Sequence, residues 1–263
     1  MCAANSVRVV GACALALLIL PFLETGAAGN IISYGDRTGA QVIFETITED
    51  ANIPAHPAPL FGAPSVSVNS LVFFPQGFAA TSTGGTPDVA DSHLSFKVKG
   101  IGVYGMSTLS FAENGDYTLI GPGTVQTGVG LPGSVTITKA NGVAITPINL
   151  PGTAAITPNP SGIFQLPPGD TMAVGKSWTG KLSFDLSAAL AANGYAGQLA
   201  TEVMVTLDDT LAAQSSQGTF AFIQKKYAQV DVTAQPVPVP ASLVLVGLGV
   251  AGMGWFGWRR RAR

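Results

Sequence analysis

The sequence predicts an all-β fold. It is an antiparallel β-sandwich, jelly-roll-like or Ig-like, with one short helix, bounded by an N-terminal signal helix and a C-terminal transmembrane helix. Three observations predict it. Hydrophobicity alternates with period two through most of the chain, as in half-buried strands. Turn formers are abundant, with Gly 32 and Pro 18 in 263 residues, so the strands are short and separated by Gly- and Pro-rich connections. Charged residues make up only 11%, below the roughly 25% of ordinary soluble domains, which suits an exported β-protein and not a disordered chain. The alternating helices that a parallel α/β sheet needs are missing, and no fixed period signals a solenoid or propeller.

Residues 1–28, MCAANSVRVVGACALALLILPFLETGAA, have the three parts of a signal peptide. Arg8 supplies the positive charge, Val9 to Leu20 the apolar run, and Pro21 ends it. The run is too short for an ordinary span and right for a signal. Small residues lead to a cleavage site at Ala28 and Gly29, with Ala27 as a second option. This implies delivery through the Sec translocon and cutting by signal peptidase. Both cysteines, Cys2 and Cys13, lie in this segment. The mature chain is then expected to have no disulfide, thiol nucleophile or cysteine metal site, and must rest on its core, for which about 200 residues suffice.

The passenger domain is placed at 29–234. Its strand runs are AQVIFETI (40–47), SVSVNSLVFF (65–74), MSTLSFA (106–112), DYTLIG (116–121), KSWTGKLSFDL (176–186), TEVMVTL (201–207), GTFAFIQK (218–225) and YAQVDVTA (227–234). In SHLSFKVKGIGV, Leu94, Phe96 and Val98 form an apolar face. In SVTITKANGVAITPI, Asn141-Gly142 between two β-prone runs is a strong hairpin signal, because both turn positions need positive φ. SAALAANG is the helix, capped by Asp185 or Ser187 and ended at Asn193-Gly194. Residues 235–240, with Pro236, Pro238 and Pro240, read as a stiff extended linker. Between Gly29 and Gln235 there are fourteen acidic against eight basic residues, a net of −6. So acidic a domain is a poor nucleic-acid binder.

The chemistry-bearing residues are few. Asp88 and Asp91, with His93 close by, fall on an expected loop where two carboxylates could help hold calcium, or serve only as solvated acids. Asp208-Asp209 reads as a turn or helix cap after its strand. Glu113 and Asp116 in AENGDYT flank an expected turn and could pair for glycoside hydrolysis, a mechanism decided by their spatial separation. His56 sits in a proline-rich loop, and its spacing from His93 supports no metal site. Gly100, Gly102 and Gly105 spell a dinucleotide string, but it leads into a strand where a helix is required. A G-x-S-x-G elbow and a P-loop are absent from the mature section. Trp178, with Tyr104, Tyr117, Tyr195 or Tyr227, could make a carbohydrate platform, whereas its alternation with Leu182 and Phe184 favours core packing. No catalytic residue and no cofactor is predicted.

The tail carries more. Ala241 to Trp258 has no charge, and its eighteen residues would span roughly 27 Å as a helix, enough for a thin bilayer core. Trp255 and Trp258 sit where interfacial aromatics belong, and Arg259, Arg260, Arg261 and Arg263, in a segment at 259–263, should stay cytoplasmic. With Val237-Pro238-Val239-Pro240-Ala241-Ser242 ahead of it, this arrangement resembles the PEP-CTERM class of bacterial sorting signals, in its VPLPA-like variant. The resemblance implies recognition by an exosortase, cleavage near the motif, and export from a Gram-negative bacterium to its surface or matrix, often with exopolysaccharide. The first functional expectation is therefore a non-enzymatic exported surface protein, transiently anchored in the membrane. An exopolysaccharide-binding module and a secreted carboxylate-pair hydrolase are the alternatives.

Overall fold

The computed structural model describes residues 31–51 and 53–238. In chain order the strands are β1 (Ile32–Thr38), β2 (Val42–Asp50), β3 (Ser65–Ser67), β4 (Ser70–Phe73), β5 (Ala79–Thr83), β6 (Asp88–Gly100), β7 (Tyr104–Ile120), β8 (Val125–Gly130), β9 (Pro132–Ala140), β10 (Val143–Thr153), β11 (Ala155–Thr157), β12 (Ile163–Gln165), β13 (Met172–Asp185), β14 (Ala200–Ser215) and β15 (Phe220–Pro236). Helix α1 (Leu186–Ala192) lies between β13 and β14.

Every pairing is antiparallel, and the strands form two layers. The first runs β1-β2-β6-β14. The far edge of β14 is shared: its first half pairs with β9 and its second half with β8, which are extended by β10 and β12. The second layer centres on β15 and β7. Beyond β7 come β13 and β11, and the other edge of β15 is divided between β5 and β4, with β3 outside β4. One pairing, Ala200 with Met106, joins the layers at a corner. The inward faces make a single core, including Phe44, Phe96 and Val205 from the first layer and Phe111, Phe184 and Val230 from the second. Each such side chain contributes about 1.5–3 kcal/mol by leaving water.

Period two sets these faces. In β14, Val203, Val205, Leu207, Asp209, Leu211 and Ala213 point inward. In β15 the inward set is Ala221, Ile223 and Lys225, then Ala228, Val230 and Val232. The parity changes because the register with β7 shifts between Lys225 and Tyr227. This extra residue is a β-bulge, which re-aims the side chains on either side of it. The Lys225 N–H donates to the Phe78 carbonyl at 2.9 Å.

The predicted hairpin and helix are present. Asn141 has φ 45 and Gly142 φ 82, the positive pair that the turn between β9 and β10 requires. Asp185 caps α1 by accepting from the Ala188 N–H at 2.8 Å, and Gly194 follows with φ 87.

Several boundaries differ from the expectation. MSTLSFA and DYTLIG are one strand, β7, with no turn at Asn114-Gly115. A Cβ on Gly115 would lie 1.9 Å from the Gln224 carbonyl oxygen and 2.8 Å from Trp178 Nε1. The glycine is therefore there for close approach and not for a turn. Asp208-Asp209 lies within β14, and GTFAFIQK and YAQVDVTA are joined in β15. Conversely, SVSVNSLVFF is divided between β3 and β4 by a turn at Val68, whose φ is 55. Strand pairing also continues to Pro236, into the expected linker, because a proline is tolerated where a strand ends. Replacing Gly115 with alanine is expected to lower stability by about 2–3 kcal/mol, the cost of overpacking. A urea unfolding midpoint unchanged from the parent would contradict this account of the position.

Candidate functional site

Two regions bear on function: the point where the chain leaves the fold, and a group of charged side chains inside it. At the exit, β15 stays paired with β7 as far as Pro236 opposite Tyr104. The Val237 N–H then donates to the Val103 carbonyl at 2.7 Å, and Val237 packs over Gly105, where a Cβ would meet its Cγ2 at 3.2 Å. Pro238 lines two grooves at the exit, one shared with Val237 and reaching Lys99, Lys139 and Glu202, the other reaching Ser187, Gly197 and Gln198. The first two residues of the expected sorting motif are thus held at the end of the sandwich. Val239, Pro240, Ala241 and Ser242 lie outside the described residues, as do Arg259, Arg260, Arg261, Arg263, the apolar run, and the signal segment with Ala28 and Gly29. Among the described residues, no helix is long and apolar enough to cross a membrane.

The sequence-predicted site residues do not converge. Asp88 and Asp91 sit on β6 and not on a loop, because both pair with β14. Their oxygens have separate partners. Asp88 contacts His56 Nε2 at 2.7 Å and accepts from the Thr81 N–H at 2.6 Å, while Asp91 accepts from the Thr210 hydroxyl at 2.5 Å. No cluster of three metal-ligating side chains occurs among the described residues. Glu113 and Asp116 lie three apart on one strand and so face opposite sides. Glu113 is buried, whereas Asp116 pairs outside with Gln224 and Lys226. Trp178 is 1% exposed and packs in the core. Tyr117 stacks on Phe164 at 4.4 Å and Tyr227 meets Phe74 edge-on, so neither forms a platform with Trp178.

Inside the sandwich are four charged residues that sequence reasoning missed as a group: Glu49, Glu113, Asp209 and Lys225. The Lys225 ammonium contacts Asp209 Oδ2 across the interlayer space and Glu113 Oε2 within its own layer. All three side chains are 0% exposed. The rings of Phe61 and Phe78 lie over the ammonium, with centroids at 4.9 and 4.5 Å. Gly180 makes the space for Glu113, since a Cβ there would reach its Cγ and Oε1 at 3.0 Å. Burial pushes the Glu113 carboxyl up from its ordinary value, opposed by Lys225. Burial pushes Lys225 down, opposed chiefly by Glu113.

Glu49 is held differently. Oε1 accepts from the Leu60 and Phe61 N–H groups at 2.5 and 2.9 Å and from the Ser92 hydroxyl at 3.1 Å. Oε2 accepts from the Tyr34 hydroxyl at 2.5 Å and the Gly62 N–H at 3.3 Å. Five donors satisfy this carboxylate and hold in place the loop that brings Phe61 over Lys225. The usable sequence signal was parity: Glu113 continues Leu109 and Phe111, Asp209 continues Val205 and Leu207, and Lys225 continues Ala221 and Ile223.

Residues 236–261 match the PEP-CTERM protein-sorting motif. The chain carries this signal, consistent with an exosortase-sorted protein, and the signal implies export and membrane-associated sorting to the cell surface. No curated protein matches the chain. Among solved structures, the enzymatically active domain of tailspike protein 4 from bacteriophage CBA120 is 11% identical, with 78% of this chain and 19% of that one covered and a TM-score of 0.18. The chain thus spans about a fifth of the tailspike's length. TmCBM61, solved in complex with β-1,4-galactotriose, is 8% identical, with 79% and 87% covered and a TM-score of 0.18.

Replacing Glu49 with alanine would strand three backbone donors, and is expected to cost about 3 kcal/mol or more. Hydrogen exchange should accelerate at the amides of Leu60 and Phe61. Unaltered protection there would mean that ring packing, and not the carboxylate, holds the loop.

Proposed function

We propose that the chain is a non-enzymatic surface or matrix protein, transiently anchored in the membrane and released by an exosortase. The observation that carries this reading is the sorting motif at 236–261, which starts where the last strand ends. Four residues, 237–240, separate Pro236 from the apolar run at Ala241. Extended, they reach about 13 Å. The sandwich would then ride close to the bilayer while the tail is in place, and Pro238-Val239-Pro240 would lie in the narrow gap where a membrane enzyme can reach it. The net charge of −6 and the lack of cysteine in residues 29–235 suit a domain that works outside the cell on its core alone.

The test is the C-terminus of the protein recovered from cells. With the exosortase present, mass spectrometry is expected to find a chain ending near residues 237–242; without it, Arg263 should be retained. Retention of Arg263 in both strains would make the tail a permanent anchor and reject the proposal. A Pro238→Ala, Pro240→Ala variant is expected to accumulate in the uncleaved form, seen as a larger membrane-bound species.

A further inference from the structure

We propose that Lys225 and Asp209 condense into an intramolecular isopeptide bond that ties the two layers together, with Glu113 as the proton-transfer group. The proposal is independent of the sorting route and rests on how the three side chains are placed. Lys225 comes from β15 and Glu113 from β7, neighbouring strands of the second layer, while Asp209 reaches the same ammonium from β14 in the first. Asp209 Oδ2 is the closer of the two carboxylate contacts.

The surroundings suit a reaction better than an ion pair. A buried ion pair needs further hydrogen bonds to offset the loss of water. Glu49 shows how this fold supplies them where a carboxylate is to remain one, with five donors. Glu113 and Asp209 receive no hydrogen bond from any other group among the described residues; Lys225 is their only polar contact. One ammonium between two carboxylates would also leave a net negative charge in the core, which a proton held on Glu113 removes. Burial drives Lys225 toward the free amine and Glu113 toward the neutral acid, the forms the step requires. The rings of Phe61 and Phe78 cover the ammonium and all three side chains are 0% exposed, so water is kept out, and the fold holds amine and acid in contact, which replaces a bimolecular encounter.

The step balances without an oxidant or any co-reactant. A proton passes from the Lys225 ammonium to the Asp209 carboxylate, giving amine and acid. The Nζ lone pair attacks Asp209 Cγ while protonated Glu113 donates its proton to the carboxyl oxygen and accepts one from Nζ. Glu113 then gives a proton to the departing hydroxyl and takes one from the hydroxyl that remains, which becomes the amide carbonyl. The Nζ–Cγ bond forms, one Cγ–O bond breaks, one water leaves, and Glu113 ends protonated as it began. The product is a neutral amide in the place of two buried charges. Because both cysteines of the chain lie at positions 2 and 13, outside the sandwich, this amide supplies a covalent cross-link that a disulfide cannot.

Peptide mapping of the full-length protein tests the proposal. No lysine or arginine lies between Lys181 and Lys225, so trypsin is expected to skip Lys225 and release residues 182–226 lighter by one water. Chymotrypsin cutting at Phe220 and Phe222 should then leave a branched peptide joining Asp209 to Lys225. The isosteric Glu113→Gln variant is expected to yield unlinked peptides of full mass. If that variant does not fold, the wild-type map alone decides. An unmodified, trypsin-cleaved Lys225 in the folded wild type would overturn the proposal, and a branch to Glu113 would overturn the assignment of Asp209.

Discussion

A lysine ammonium in the dry interior of a sandwich must be met there by other groups, and much of the local structure follows from how Lys225 is met. Its two carboxylates come from different layers, so the contact fixes how the layers face each other. The bulge after Lys225 turns the side chain inward without displacing Ala228, Val230 and Val232 from the core. Gly180 leaves room for Glu113, and Gly115 lets Trp178 and the bulged strand approach. The loop that carries Phe61 over the ammonium is fastened by a third buried acid, Glu49. An apolar cluster of the same volume would often stabilise as well or better. Stability by itself therefore does not account for three buried ionisable groups, whereas a condensation that joins two of them does.

The same residues explain what could and could not be read in the sequence. Local pattern identified the β-rich sandwich by alternation, the hairpin by Asn141-Gly142 and the helix by its caps, because each depends on neighbours in the chain. It failed where a polar residue stood at an inward position. The sequence pattern breaks or ends a strand at Glu113-Asp116, at Asp208-Asp209 and at Lys225-Lys226, whereas the structure carries β7, β14 and β15 through all three. Each break contains one member of the buried triad. Charge ordinarily signals solvent, which is sound for one residue considered alone. Burial becomes tolerable only when partners far apart in sequence come together, and no single strand reveals its partners. The sorting tail was legible for the opposite reason: apolar run, prolines and arginines are adjacent, and their meaning depends on their order.

The chain thus separates destination from durability. The tail sets where the protein goes, and the sandwich has to persist there without disulfides. These two parts meet on β15, whose inward face reaches the opposite layer at Lys225 and whose end passes directly into the motif.

That shared strand has a mechanical consequence. While the tail is held in a membrane, any drag on the domain enters as tension along β15 at Pro236. From Val232 to Pro236 the strand is hydrogen-bonded to β7, and its pairing with β4 ends at Asp231. The pull runs along an antiparallel pair and is resisted in shear, by many ladder bonds at once. Further in, a covalent tie from Lys225 would hand the remaining force to β14, which is flanked by β6 on one edge and by β9 and β8 on the other. Tension at the terminus would then be shared by both layers, and the domain would resist peeling from the end by which it is tethered.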